Sequence, residues 1–351
     1  MDRAALDQAV QRAMPVRGTD FSGWDLRGAD LSATLFEGCS FEGAVLDRAD
    51  LGESQFLRCR FVRTSLVGCS TATSVFAESH FERASLREAT ISNTSWYKCT
   101  LKDVRFDDAQ VDFATFSGGK LDNLIFRRAR LDKLILAGAE LGAFDFTAAR
   151  LNRCVFHECD LQGAKFSEAG LVHVIFVKAK LAGLSFRGQR LEFPQFIEAD
   201  LKNCDFAEAD LLQGNFTQAL LTGAKFQRVK APQALFMQAD VGGVDFTGAT
   251  LTQALFFKAR AAAACFHGAR LYQANFTEAV LDQANLRDTE LTYADFSRAA
   301  MDGADLSGAT MFRAKLQGAR LQGTRFTDRE RALGDDPDQQ ASDNWQPQAT
   351  A

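Results

Sequence analysis

The chain has 351 residues, with 40 Lys plus Arg against 45 Asp plus Glu, a formal charge of −5, and 31 Phe beside only 3 Tyr and 3 Trp. Charge this nearly balanced excludes a generic polyanion binder and a highly charged disordered chain, and no run approaches 18 apolar residues, so no membrane span is expected. The 4 histidines never fall at ligand-like spacing, and no phosphate-loop, H-E-x-x-H or G-x-S-x-G motif occurs, so no enzyme, cofactor or metal is expected.

The first ten residues, MDRAALDQAV, lack the basic start and apolar core of a signal peptide. A cytoplasmic location is expected, with secretion by a signal-peptide-independent route left open. Residues 2–14 read as an amphipathic helix with Leu6, Ala9, Val10 and Ala13 on one face and Pro15 as its stop. Residues 1–18 are therefore expected to form a helical cap in which Leu6 and Val10 seal an open end.

From Phe21 to Phe326 every fifth residue is large and apolar with few exceptions, through 62 registered positions without an insertion. Phe21, Leu26, Leu31, Phe36, Phe41 and Leu46 show the rule, and Thr71, Ala231 and Ala261 break it. A second slot, two residues earlier, is small: Ala29, Cys39, Ala44, Ala49. A period of five leaves no buried stripe on an α-helix and alternates faces on a plain strand. It fits a chain that turns a corner once per unit and stacks coil on coil. Sorted at steps of 20, one column reads Phe36, Phe56, Phe76, Trp96, Phe116, Leu136 and then Phe156 through Phe296. Another reads Leu26, Leu46, Leu66, Leu86 and then Phe106 through Phe266. Four units per coil explain both, with the aromatic stacks moving from adjacent to opposite faces near residues 81–106.

The segments Ala29-Asp30-Leu31-Ser32-Ala33, Ala209-Asp210-Leu211 and Ala304-Asp305-Leu306-Ser307-Gly308 carry an A(D/N)LXX pattern that closely resembles the pentapeptide repeat proteins. The resemblance implies an all-β solenoid, a right-handed quadrilateral β-helix of about 15 coils. At about 4.8 Å per layer it should be on the order of 75 Å long. The uninterrupted β-helix is expected over residues 19–328.

Seven of the 8 cysteines sit in the small slot and only Cys265 lies outside it, with no CxxC anywhere, so they read as small buried hydrophobes in a reducing compartment. Trp24, Val104, Leu124, Leu134, Phe144, Val174, Leu184, Gln189, Pro194 and Val229 overfill that slot. Most lie between 124 and 194, where a wider or bent stretch is expected.

Residues flanking each central side chain should face solvent. On the wall centred on Phe36 through Leu316 these include Leu35, Val75, Ile135, Val155, Ile175, Leu235 and Leu255 before the centre. After it come Leu57, Tyr97, Val177, Ile197, Met237 and Phe257. Such an apolar wall points to a protein partner or homodimer. The expected function is a non-catalytic scaffold or adaptor, and the family resemblance brings in bacterial secretion machinery as one setting. Another wall carries Arg130, Arg150, Arg190, Lys230 and Arg270, partly offset by Asp112, Asp132 and Glu192, and reads as a solvated face.

The resemblance also implies an alternative, a DNA-mimicking modulator or protector of a type II topoisomerase (gyrase). Residues 21–326 hold 35 basic and 36 acidic residues, whereas a mimic should be strongly acidic. Direct nucleic-acid binding is not expected either. Residues 327–333 are read as one closing turn, and residues 329–351 as a polar, disordered tail in which Trp345 stands alone.

Overall fold

A computed structural model describes residues 1–338 and shows a right-handed β-solenoid of about 16 turns behind a short N-terminal helix. The chain divides into two compact units, Met1–Lys180 and Leu181–Ala351.

The first unit begins with the helix Arg3–Gln11, capped by Asp2, whose carboxylate accepts the Ala5 N–H at 2.8 Å. Leu6 and Ala9 are buried and Val10 is half-buried. The stacking register starts earlier than Phe21: Val16 and Arg17, inside the segment expected to be cap, already pair with Phe36 and Glu37. From there each short strand pairs in parallel with the one 20 residues on, as Leu35–Glu37 does with Gln55–Leu57 and Arg60–Val62 with His80–Glu82. The longest strands, β1 (Thr90–Tyr97) and β2 (Gln110–Ser117), run through a corner without breaking.

The five-residue unit has a local cause. The central residue opens a tight turn whose third residue takes positive φ, and the small residue closes it, as Ala49 N–H does on the Leu46 carbonyl at 3.0 Å. The corner is not confined to glycine: Arg48 (φ 57°), Glu88 (59°) and Gln273 (55°) adopt it too. Ladder hydrogen bonds to the next coil hold these residues where a lone peptide would not keep them. The Asp of A(D/N)LXX is explained as well. Asp30 and Asp305 each accept a backbone N–H two residues on, from Ser32 and Ser307, at 3.0 Å.

Some corners lack the closing N–H bond, and there the small slot supplies another donor. The Ser54 hydroxyl donates to the Leu31 carbonyl at 2.7 Å and the Cys59 thiol to the Phe36 carbonyl at 3.3 Å; the Ser74 hydroxyl donates likewise at 2.7 Å to the Leu51 carbonyl, which also accepts the Ser54 N–H at 3.3 Å. These cysteines are more than small hydrophobes. At Gly119 the slot admits no side chain at all, since a Cβ would lie 2.1 Å from the Cys99 carbonyl.

The core is a set of ring stacks. Phe36 and Phe56 stack at 5.0 Å while Phe36 meets Phe41 edge-on at 5.8 Å, on adjacent faces. Beyond Phe106 the edge-on partner is ten residues away, as for Phe106 and Phe116 at 6.3 Å, which moves the stacks to opposite faces. Overfilling is resolved locally near residue 144. Phe144 is buried and stacks on Phe146 at 5.7 Å, while Ala139 and the central Leu141 are pushed to half-exposure.

In the second unit almost every coil pairs through single bridges in the same 20-residue register, from Asp205↔Lys225 to Ala300↔Arg320. Leu184 and Gln189 fill the small slot only half-buried. The last coil is shortened: Leu333 bridges Lys315, 18 residues back, after the 3-10 turn Arg329–Arg331. Side-chain oxygens cap the open edge. Asp328 accepts the Met311 N–H at 3.0 Å and Asp335 the Gly318 N–H at 2.8 Å. The expectation of a disordered tail from 329 is thus corrected through residue 338, because unsatisfied edge amides recruit Thr327, Asp328 and Asp335. Trp345 lies outside the described residues.

Candidate protein-binding faces

In the first unit the apolar wall is a ladder. Leu35 pairs with Gln55 and Gln55 with Val75; Val75 pairs with Ser95, and Ser95 with Thr115. Thr115 then pairs with Ile135, and bridges continue through Val155 to Ile175. Beside it runs the column containing Leu57, Tyr97 and Val177. Val75 and Tyr97 are exposed; Leu35, Leu57, Ile135, Val155, Ile175 and Val177 are half-buried, because each lies against the coils above and below. In the second unit Leu235 bridges Leu255, with Met237 and Phe257 alongside and Ile197 nearer its start, all half-buried. Lysines cover the aromatic rings in each case: Lys98 Nζ lies 5.0 Å from the Tyr97 ring and Lys258 Nζ 4.9 Å from Phe257.

Two surface features escape a reading based on central residues. Gln213, Gln233, Gln253 and Gln273 form an amide ladder with N···O distances of 2.7, 3.0 and 2.9 Å. Tyr272, Tyr293 and Phe312 form an edge-to-face strip at 5.9 and 5.8 Å. In the first unit Phe113 is exposed. The signal for the glutamines is in the sequence at the corner position, once it is sorted at steps of 20.

Several carboxylates are engaged with cations from neighbouring coils. Glu37 meets Arg17 and Arg58 at 2.8 and 2.5 Å, Asp108 meets Arg128 at 2.7 Å, and Glu278 meets Lys258 and Arg298 at 3.3 and 3.1 Å. Among the described residues, no three His, Cys, Asp or Glu side chains gather where they could hold a metal ion. His80 and His267 each stand singly beside one acid, Glu82 at 3.5 Å and Asp288 at 3.6 Å. Burial pushes the thiols of Cys69, Cys99, Cys154, Cys159 and Cys204 up to about 12. Among the described residues no helix is long and apolar enough to cross a membrane.

Family models match most of the repeat region. One described as "Pentapeptide repeats (8 copies)" matches residues 145–176, 199–236, 234–273, 269–308 and 289–328, and one described as "Pentapeptide repeat region" matches residues 35–116. No curated protein matches the chain by sequence. Among solved structures, QnrB1, a plasmid-mediated fluoroquinolone resistance protein, is 17% identical over 62% of this chain and 93% of its own, with a TM-score of 0.27. HetL, a pentapeptide repeat protein involved in heterocyst differentiation regulation in the cyanobacterium Nostoc sp. strain PCC 7120, is 18% identical over 95% and 94%, with a TM-score of 0.18. A pentapeptide repeat protein of the Arabidopsis thaliana thylakoid lumen is 25% identical over 38% and 68%, also at 0.18.

Proposed function

Since the chain belongs to the pentapeptide repeat protein family and is non-enzymatic, we propose that it is a protein-binding solenoid that docks a protein partner, or a second copy of itself, on its apolar wall. The supporting observation is the Ile135–Val155–Ile175 ladder of the first unit, with Tyr97 and Val75 exposed on the same wall. Half-buried β-branched side chains in register present a flat, preorganised apolar strip at about 4.8 Å spacing. An opposing apolar face would bury what remains exposed with little loss of side-chain entropy. The eight free cysteines fit a reducing compartment, and we place the protein in the cytoplasm. The double substitution Val155→Asp with Ile175→Asp is expected to keep the fold and abolish self-association or partner capture, read by light scattering and pulldown. Unchanged mass together with unchanged capture would sink the apolar-wall reading.

A second reading is the alternative that the family resemblance implies: a DNA-mimicking solenoid that occupies the DNA site of a type II topoisomerase. Its partner would also be a protein. Here it must work with carboxylates many of which are paired to Arg and Lys, as Glu37, Asp108 and Glu278 are, so the partner's basic groove would have to displace those cations. A gyrase supercoiling assay with a quinolone distinguishes the readings. Protection at near-stoichiometric protein supports the mimic, and protection that survives the wall substitutions would make the mimic the sole reading.

A further inference from the structure

In the first unit, β3 (Arg130–Asp132) pairs in register with β4 (Arg150–Asn152), which sets Arg130 directly opposite Arg150. Like charges opposed across a ladder are destabilising unless something answers them. The acids expected to offset them are engaged elsewhere. Lys133 Nζ lies 3.5 Å from Asp112 and 3.0 Å from Asp132, and the Asn152 amide donates to Asp132 at 2.5 Å. Among the described residues neither arginine has an ion-pair partner, in contrast to Arg190, which meets Glu192 two residues on at 2.9 Å. The neighbours along the arginine column are neutral: Gln110 precedes Arg130 and Gly170 follows Arg150.

The two arginines form one rim of a surface groove of about 440 Å³, with Thr90, Ser92 and Gln110 toward one end and Asp112 and Asp132 on the facing rim. The volume falls within the range of small-molecule sites. We propose that this groove binds a phosphorylated, hydroxyl-bearing small molecule. A single carboxylate satisfies one guanidinium fork, whereas two forks stacked one layer apart ask for three or more acceptor oxygens on one centre, which a phosphoryl group carries. Asp112 keeps most of its side chain, 64%, open to solvent, so an oxygen of it faces outward to accept a ligand hydroxyl. This inference is independent of the apolar wall, which lies around the corner at Val155 and Ile175.

The test is isothermal titration of the full chain at low salt with inorganic phosphate, ribose 5-phosphate, ribose and glutamate as probes. Saturable binding of both phosphates is expected, ribose 5-phosphate at least tenfold the tighter, with ribose and glutamate silent. Arg130→Gln with Arg150→Gln should lose at least tenfold for both phosphates while its ligand-free melting temperature holds or rises, because a repulsion has been removed. Asp112→Asn should lose only the advantage of ribose 5-phosphate over phosphate. Absence of saturable phosphate binding by the wild type, binding unchanged in the double variant, glutamate binding as tightly as phosphate, or a double variant that melts several degrees lower would each overturn the assignment.

Discussion

At the scale of single residues, what a side chain does is set by its slot in the five-residue unit. Seven cysteines are buried and one, Cys265, is half-exposed beside Thr247 at 3.4 Å. Since a reagent must reach the sulfur and burial denies it access, a thiol reagent at pH 8 should modify one cysteine quickly in the native protein and all eight only in denaturant. Peptide mapping by mass spectrometry that found Cys59 or Cys154 labelled as fast as Cys265 would contradict the packing described. Trp96 offers a different test. It stacks on Phe76 and Phe116 at 5.4 and 4.4 Å, yet its indole N–H is buried without an acceptor. Replacing it by Phe, the residue of that column in neighbouring coils, opens a small cavity costing about 1 kcal/mol. It also removes an unpaired donor worth about 1–3 kcal/mol. Trp96→Phe should therefore leave the urea midpoint unchanged or raise it, against the usual loss for trimming a buried Trp.

At the scale of the coil, the period was legible in the sequence because every unit meets the same environment: two inward slots and a left-handed corner. What could not be read is how one coil answers a neighbour's departure from the rule. Phe144 shows this, since it is buried while the central Leu141 three residues before it is left half-exposed. Nothing in five-residue spacing says which of the two would yield. Nor could spacing reveal that Lys133 takes both Asp112 and Asp132, leaving Arg130 and Arg150 unanswered. That depends on side-chain reach across coils. The displaced leucine makes Phe144→Ala unusual, because Leu141 can return inward and fill the space. Truncating Phe146, which stacks at 5.2 Å on Phe166, leaves a cavity that nothing nearby can fill. Phe146→Ala should cost about 3–5 kcal/mol and Phe144→Ala at least about 2 kcal/mol less. Equal losses in chemical denaturation would mean that Leu141 is fixed where it stands.

For the molecule as a whole, most of what holds coil to coil does not titrate near neutrality: backbone ladders, ring stacks and buried aliphatic side chains. Carboxylates are the exception, and their effect has a definite sign. The Arg27 guanidinium beside Asp25, with contacts of 2.5 and 2.9 Å, holds that carboxyl down to about 2. The Ser22, Ser32 and Ser307 hydroxyls, with the backbone N–H of the same residues, lower Asp20, Asp30 and Asp305. Arg128, Arg228 and Arg298 lower Asp108, Glu208 and Glu278. A carboxyl whose folded value is depressed binds its proton more readily once unfolded, so its contribution is whole above about pH 4–5 and disappears as pH falls toward 2. Each such group is exposed and contributes little, but they recur in both units. The melting temperature should thus stay flat from pH 8 to 5 and then decline continuously down to pH 2. Asp30→Asn keeps an acceptor for the Ser32 N–H without the charge, so it should lower the plateau slightly and make the acid decline shallower. A decline beginning well above pH 5, or none by pH 2, would show that these turn carboxylates do not brace the corners and that the ladders alone carry the coil.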